Sequence, residues 1–157
     1  MRFSVLIVSL LTLAACETPP TPGDLSSPSA KQISIEFHLV HDLPRANSIE
    51  RKVEATGETI YLASRPDLTE REIDWAEMQR DPLTSRPSVA VYFTRPGTDK
   101  LASLTRHNIG RALAIVIDGK VLSVPYISSE IPTGRVTIRG FQSAAEAQRV
   151  ADSFARR

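Results

Sequence analysis

Residues 112–127 read ALAIVIDGKVLSVPYI, an apolar run followed by a turn signal and a second, mostly apolar segment. The continuous apolar run over residues 112–117 is typical of a central strand that is covered on both faces. Asp118 and Gly119 then predict a tight hairpin turn, because both turn positions need a positive φ. The chain returns in a second strand, where Pro125 indicates a bulge or a sheet edge. The stretch therefore predicts an antiparallel hairpin at the centre of a sheet.

Alternating apolar residues predict further strands on both sides of this hairpin. Residues 33–39 alternate apolar and polar side chains, which predicts a strand with one buried face. Shorter strand candidates lie at residues 59–62, 89–93 and 136–138. The polar stretch 42–58 between the first two candidates predicts a loop.

Two segments carry helix signals. We expect Thr98 to cap the first helix, with Leu101 and Leu104 facing inward and Asn108 or Gly110 ending it.

The last element gives the clearest helix signal. Ser143 and Glu146 predict a capping box. The inward stripe comprises Ala144, Ala147, Val150, Ala151 and Phe154. Together these elements predict an α+β domain with a mainly antiparallel sheet and two principal helices.

The composition excludes several classes of function. Across 157 residues, 19 Lys and Arg side chains against 18 Asp and Glu give a formal charge of +1, so we expect no nucleic-acid surface. One cysteine rules out an internal disulfide, and three histidines leave little for metal chemistry. The glycines are scattered and form no phosphate-binding loop, so we predict no cofactor.

The first residues predict an exported, lipid-anchored protein. Residues 3–13 form an apolar run that is too short to span a bilayer and is typical of a signal peptide. Leu13, Ala14, Ala15 and Cys16 match the bacterial lipoprotein box, in which the cysteine thiol takes the lipid. The alternative is an ordinary signal peptide followed by a free thiol.

The chain accordingly divides into three segments. We predict a lipoprotein signal peptide over residues 1–15, a lipidated cysteine with a Pro/Ser/Thr-rich tether over 16–30, and a globular domain over 31–157. In enteric bacteria, Asp after the lipidated cysteine favours retention in the inner membrane, whereas this chain has Glu17. We therefore expect a periplasm-facing protein of the bacterial cell envelope, on the outer rather than the inner membrane.

The histidines do not predict an enzyme. His38 and His41 are three residues apart on a strand, which places them on opposite faces, so we expect separate solvated or edge histidines. His107 falls in the last turn of the first helix, where a cation interacts favourably with the helix dipole. Ser103 lies one turn away, but nothing in the pattern marks it as an activated nucleophile. No catalytic residue is predicted.

The stretch 104–125, LTRHNIGRALAIVIDGKVLSVP, resembles the head subdomain of the first periplasmic region of SecD, an accessory protein of the Sec translocon. In that family a helix ends in L-T-x-x-N-x-G and is followed by a buried strand, the D-G turn and V-x-S-x-P. The likeness extends over nearly all of residues 33–157. It implies the SecD periplasmic-head fold, with an additional strand over 74–79 and a hairpin connection over 81–87.

The resemblance also implies a function in protein binding. SecD couples proton flow to its periplasmic domains through transmembrane helices, and we do not expect that step here. We expect a non-catalytic envelope lipoprotein that binds Sec translocon subunits or exported unfolded polypeptides, by addition to a sheet edge. The candidate binding residues near that edge are Lys120, Tyr126, Ser128, Ser129 and Glu130. The alternative is a structural envelope component that docks on a folded partner or assembles with itself, without a role in export.

Overall fold

The computed structural model describes residues 32–156, so the predicted signal peptide, Cys16 and the tether lie outside the described residues. The strands are β1 (Ile35–His41), β2 (Ser48–Lys52), β3 (Thr59–Ala63), β4 (Leu68–Thr69), β5 (Ile73–Arg80), β6 (Pro87–Phe93), β7 (Leu113–Ile117), β8 (Lys120–Ser123) and β9 (Arg135–Ile138). The helices are α1 (Arg95–His107) and α2 (Ala144–Asp152), with a short 3-10 helix over Glu70–Glu72.

The strands form two sheets, in which all the paired strands are antiparallel. The larger sheet has the order β2-β3-β1-β7-β8, with β4 also paired to β1, and the smaller sheet has the order β5-β6-β9. The α+β class with two principal helices is confirmed. The sequence indicated one sheet and gave no sign of the division into two. The strand that the resemblance implied over 74–79 is present as β5, and residues 81–86 connect it to β6.

The larger sheet curls until its two ends meet. Val53, just after β2, forms a parallel bridge with Val121 of β8. The Glu54 N–H donates to the Val121 carbonyl at 3.0 Å. The inside of this curl holds the smaller of two apolar clusters, which comprises Val53, Ile60, Leu62, Ala114, Val116 and Val121.

β7 is covered on both faces, as its continuous apolar run predicts. Leu113 and Ile115 belong to the main core, whereas Ala114 and Val116 belong to the cluster inside the curl. The main core lies between the larger sheet, the smaller sheet and the two helices. Its other fully buried apolar side chains are Ile35, Phe37, Leu68, Val89, Val91, Leu101, Ile138 and Ala147.

Two local predictions were wrong. The stretch 42–58 is not entirely loop, because it contains β2. This strand lies at a sheet edge and is mostly solvated, so its sequence SIERK lacks a long apolar alternation. Charged side chains on an edge strand also oppose pairing with other chains.

The first helix begins earlier than predicted. Its N-cap is Thr94, whose hydroxyl accepts a bond from the Gly97 N–H at 3.2 Å, and not Thr98. Pro96 lies in the first turn, where a proline's fixed φ favours the helix and its missing N–H costs nothing. The helix ends at the C-cap Asn108, the first of the two predicted ends.

The N-terminus of α2 differs in one bond from a capping box. The Ser143 hydroxyl accepts from the Glu146 N–H at 3.1 Å, as expected. The Glu146 carboxylate accepts instead from the N–H of Gln142, one residue before the N-cap. Ala144 is exposed, so the buried stripe consists of Ala147, Val150 and Ala151. Neither helix within residues 32–156 has the length and apolar character needed to cross a membrane.

Candidate functional site

The curled sheet opens at one end into a groove of about 730 Å³. The groove lies where β1, β2 and β8 end and where β3 and β7 begin, since these strands alternate in direction along the sheet. Its apolar lining comes from Val40, Val53, Ile60, Ala112, Leu122 and Val124. Each of these residues is an ordinary member of a strand or a strand end, and the groove exists because the register brings them together.

The register aligns one row of side chains across this end. The Val40 N–H donates to the Ala112 carbonyl at 3.0 Å, and Ala112 in turn bridges to Tyr126. Directly opposite residues on neighbouring strands point to the same face of a sheet. The Tyr126 side chain therefore lies on the same face of the sheet as Val40, at the mouth of the groove. Its side chain is 76% exposed.

The rim of the groove is aromatic and charged. Tyr61 and Tyr126 both line the groove, together with two acidic residues and two arginines: Asp42, Glu58, Arg111 and Arg139. Arg111 is held in place because its guanidinium donates to the Asn108 side chain at 2.8 Å and to the Val40 carbonyl at 3.3 Å. Tyrosine and arginine are enriched at protein–protein interfaces.

Exposed apolar side chains surround the same end. Leu43 follows the lining residue Asp42 and is 72% exposed, and Ile109 precedes the lining residue Gly110 and is 57% exposed. With Tyr126 these are three of the four large exposed apolar side chains within residues 32–156. Scattered exposed apolar residues are ordinary, but a concentration of them indicates an interaction surface.

An ion pair between exposed Arg139 and buried Asp81 fixes the turn between β5 and β6 next to the groove. Asp81 is only 3% exposed and accepts bonds from Arg139, from the Thr84 N–H at 2.9 Å and from the Leu83 N–H at 3.0 Å. The Arg139 guanidinium, followed by the Thr84 N–H, lowers the pKa of Asp81 from 3.8 to about 2. Since Arg139 also lines the groove, this pair joins the hairpin to the rim.

The depressed pKa predicts an acid-dependent loss of stability. The stabilisation by ionised Asp81 is complete above the ordinary pKa of 3.8 and is lost as the pH falls towards about 2. We expect Asp81→Asn to lower the melting temperature at neutral pH by about 3 °C or more. At about pH 2 the difference from the wild-type protein should vanish. Thermal melts at several pH values test this, with exposed Asp42→Asn as the control; an equal difference at every pH would contradict it.

The predicted binding residues do not form one cluster. Tyr126 lines the groove, whereas Lys120 lies at the other end of β8 and lines a separate cavity of about 580 Å³. Ser128 and Ser129 are exposed on the following loop. Glu130 lies 3.9 Å from Arg106, near the end of α1. Asp118 and Gly119 form the turn between β7 and β8 with φ values of 48° and 79°.

The outer edge of β8 is already occupied by the protein's own backbone. The Val121 carbonyl accepts the Glu54 N–H, and Gly140 lies so close that a Cβ built on it would be 2.9 Å from the Leu122 carbonyl oxygen. An added strand has little access there. The groove, rather than this edge, is the better candidate for binding, and sequence reasoning missed all of its lining except Tyr126.

The histidines offer no catalytic arrangement. His38 is only 2% exposed, which corrects the expectation of a solvated or edge side chain. It is stable there because both ring nitrogens have hydrogen-bond partners. The Nδ1 of His107 lies 2.7 Å from the Ser103 backbone carbonyl and not against the serine hydroxyl. Among the described residues, no group of three or more His, Cys, Asp or Glu could hold a metal ion.

Comparisons with known proteins agree with this architecture. A family model described as "SecDF, P1 head subdomain" matches residues 46–154. The protein translocase subunit SecD of Acidaminococcus fermentans is 31% identical over 118 residues, covering 72% of this chain and 28% of that protein. The corresponding subunit of Rhodothermus marinus is 34% identical over 100 residues, covering 64% of this chain and 14% of that protein.

Solved structures show the same likeness. A structure of SecDF, described as a membrane component that enhances protein export, matches with a TM-score of 0.64 and 26% identity. That match covers 80% of this chain and 63% of the other. SecDF in its super-membrane-facing form matches with a TM-score of 0.65 and 27% identity, covering 80% of this chain and 19% of the other. The chain spans less than a third of the curated relatives described above.

Proposed function

This chain belongs to the SecDF P1 head subdomain family, and on that premise we propose that it is a non-catalytic accessory of protein export that binds polypeptides in the cell envelope. The observation that carries the proposal is the family match over residues 46–154. The translocon-related role of the family supports Sec translocon subunits and exported unfolded chains as the partners. The proton-driven activity of the whole relatives is not part of this proposal.

The proposal includes a lipid anchor. Cys16 in the sequence LAAC would carry the lipid, and the Pro/Ser/Thr-rich tether would connect it to the domain. The 14 residues over 17–30 reach about 43 Å in a polyproline conformation. A domain on such a tether could search the space in front of the membrane, with the outer membrane favoured by Glu17.

We propose the groove as the binding site for the exported chain. Its apolar lining can receive apolar side chains of an unfolded polypeptide, and burying one such side chain contributes about 1.5–3 kcal/mol. Because association also costs translational freedom and side-chain ordering, a few inserted side chains give weak and rapidly exchanging binding. Weak binding suits a protein that must release a chain in transit.

Tyr126→Ala tests this site. We expect it to weaken the affinity for an unfolded model protein about tenfold, since a truncated aromatic at an interface commonly costs about 1.4 kcal/mol or more. The melting temperature should be unchanged, because Tyr126 is 76% exposed. The measurement is fluorescence anisotropy with a labelled, carboxymethylated client that cannot fold.

Leu83→Ala is the matched control. Leu83 is the most exposed large apolar residue of the described chain, at 91%, and it is not part of the groove lining. We expect this variant to bind as the wild-type protein does. Equal losses in both variants would show that the affinity comes from general surface hydrophobicity and not from the groove.

The alternative role, a structural envelope component, makes a different prediction. Self-association that persists on dilution, together with no affinity for unfolded protein, would replace the export proposal with docking or self-assembly. Analytical ultracentrifugation of residues 31–157 over a range of concentrations, with the anisotropy assay beside it, distinguishes the two roles.

A further inference from the structure

Both ring nitrogens of buried His38 face hydrogen-bond acceptors. Nδ1 lies 2.8 Å from the Ala63 carbonyl oxygen, and Nε2 lies 3.0 Å from a carboxylate oxygen of Glu36. Neither a carbonyl nor an ionised carboxylate can donate a hydrogen bond. A neutral imidazole has a single N–H and can satisfy only one of these partners, whereas the imidazolium has two and satisfies both.

We propose that His38 is an imidazolium whose hydrogen bond to the Ala63 carbonyl links β1 to β3. This bond makes the groove sensitive to pH. The effect on the groove rests on the proposed polypeptide-binding function, but the protonation state of the ring does not. The doubly protonated ring donates one hydrogen bond to β3 and one to Glu36 on its own strand. Loss of a proton removes one of the two bonds that the ring makes.

The pairing between β1 and β3 is short, so the hydrogen bond from His38 to Ala63 is a large part of the contact between the two strands. The two strands share only the pairs Val40–Leu62 and His41–Tyr61 before the chain turns away after Ala63. The bond from His38 to Ala63 adds one further hydrogen bond between the two strands. Val40 and Tyr61 both line the groove, so a looser junction changes the groove wall directly.

Few charged side chains lie near His38. On β1, Glu36 is its ion-pair partner, with a side chain that is 37% exposed. The connection between β3 and β4 carries Arg65 and Asp67, and the Asp67 carboxylate accepts the Leu39 N–H at 2.8 Å.

The residues of β4 and β7 that pair with this part of β1 are uncharged. On β4, Thr69 pairs with Glu36. On β7, Ala114 pairs directly with His38, and Val116 pairs with Glu36. Glu36 is therefore the carboxylate that holds the second proton of the ring.

The direction of the pH effect follows from this geometry. The imidazolium makes both bonds, whereas the neutral ring, which forms as the pH rises, makes only one. In the neutral ring the remaining proton stays on Nε2, because a hydrogen bond to an ionised carboxylate is about twice as strong as one to a neutral carbonyl. Nδ1 then presents a lone pair to the Ala63 carbonyl, and the bond between β1 and β3 is lost. Both the stability of the β1–β3 junction and the affinity of the groove should therefore fall with rising pH.

Glu36→Gln provides the matched variant. A glutamine amide can donate to Nε2 of a neutral ring, so the single ring proton stays on Nδ1 and the bond to the Ala63 carbonyl survives. Between about pH 6 and pH 8 we expect the wild-type melting temperature to fall by about 3 °C or more relative to Glu36→Gln. His107→Gln, at an exposed histidine on α1, should keep the wild-type pH dependence.

Nitrogen-15 NMR of the ring tests the protonation state in the free protein. We expect the doubly protonated signature for His38 at about pH 6. A single-proton tautomer at that pH, or parallel melting profiles of the wild-type protein and Glu36→Gln, would overturn the proposal that His38 is an imidazolium linking β1 to β3. Polypeptide affinity that does not change with pH, in a protein with the doubly protonated ring, would overturn its effect on the groove. No polypeptide affinity at any pH would overturn the proposed function and leave the assignment of the proton standing.

Discussion

Phe37→Ala should lower the free energy of unfolding by about 3–5 kcal/mol, the range for truncating a buried phenylalanine. Phe37 is fully buried on β1 of the larger sheet. Its ring centroid lies 5.6 Å from that of Phe93, which belongs to β6 of the smaller sheet. The substitution leaves a cavity at the point where the two sheets pack together, and neighbouring strands cannot close it without losing their pairing.

Urea denaturation of the wild-type protein and the variant measures this effect. Leu43→Ala is the control, since a side chain that is 72% exposed should change the stability by no more than about 0.5 kcal/mol. A loss below about 1 kcal/mol in Phe37→Ala would mean that the two sheets do not depend on this aromatic contact.

Gly134→Ala should destabilise the protein by about 2–5 kcal/mol. Two effects combine, since Gly134 has a φ of +64° and a Cβ built there would lie 2.0 Å from the Thr98 hydroxyl oxygen. The left-handed backbone costs about 1–2 kcal/mol for a residue with a Cβ. Forcing a methyl group into the contact between the turn before β9 and helix α1 adds about 1–3 kcal/mol.

Gly57→Ala separates these two effects. Gly57 has a similar φ of +71°, but no atom lies within 4 Å of its built Cβ. Only the backbone cost of about 1–2 kcal/mol is expected there. Equal losses at both positions, measured by urea denaturation, would show that Thr98 moves aside and that its close approach to Gly134 does not hold α1 in place.

Local patterns in the sequence account for much of the fold. The run 112–117 predicted the doubly covered strand, and Asn108 was one of the two residues predicted to end α1. The start of α1 was misplaced because Arg95-Pro96-Gly97 is also typical of a turn, and only the bond from Gly97 to Thr94 shows that the helix has already begun. β2 was missed because an edge strand exposed to water needs few apolar residues.

The candidate site could not be predicted in the same way. The groove is assembled by strand register from residues as distant as Val40 and Val124, and no single stretch contains its pattern. The burial of His38 was missed for a related reason, since its carbonyl partner Ala63 is 25 residues away along the chain. Tyr126 was identified because it follows the hairpin, next to the predicted sheet edge.

Photo-crosslinking in living cells would show whether the groove end of the domain contacts polypeptides in export. A photoreactive amino acid would replace Tyr126, with Leu83 as the control position and Cys16→Ser as the mislocalised control. We expect adducts with many newly exported chains or with Sec subunits from Tyr126, few from Leu83, and their loss in Cys16→Ser. One dominant folded envelope protein, or only a second copy of this chain, in the adducts from Tyr126 would contradict the proposed function.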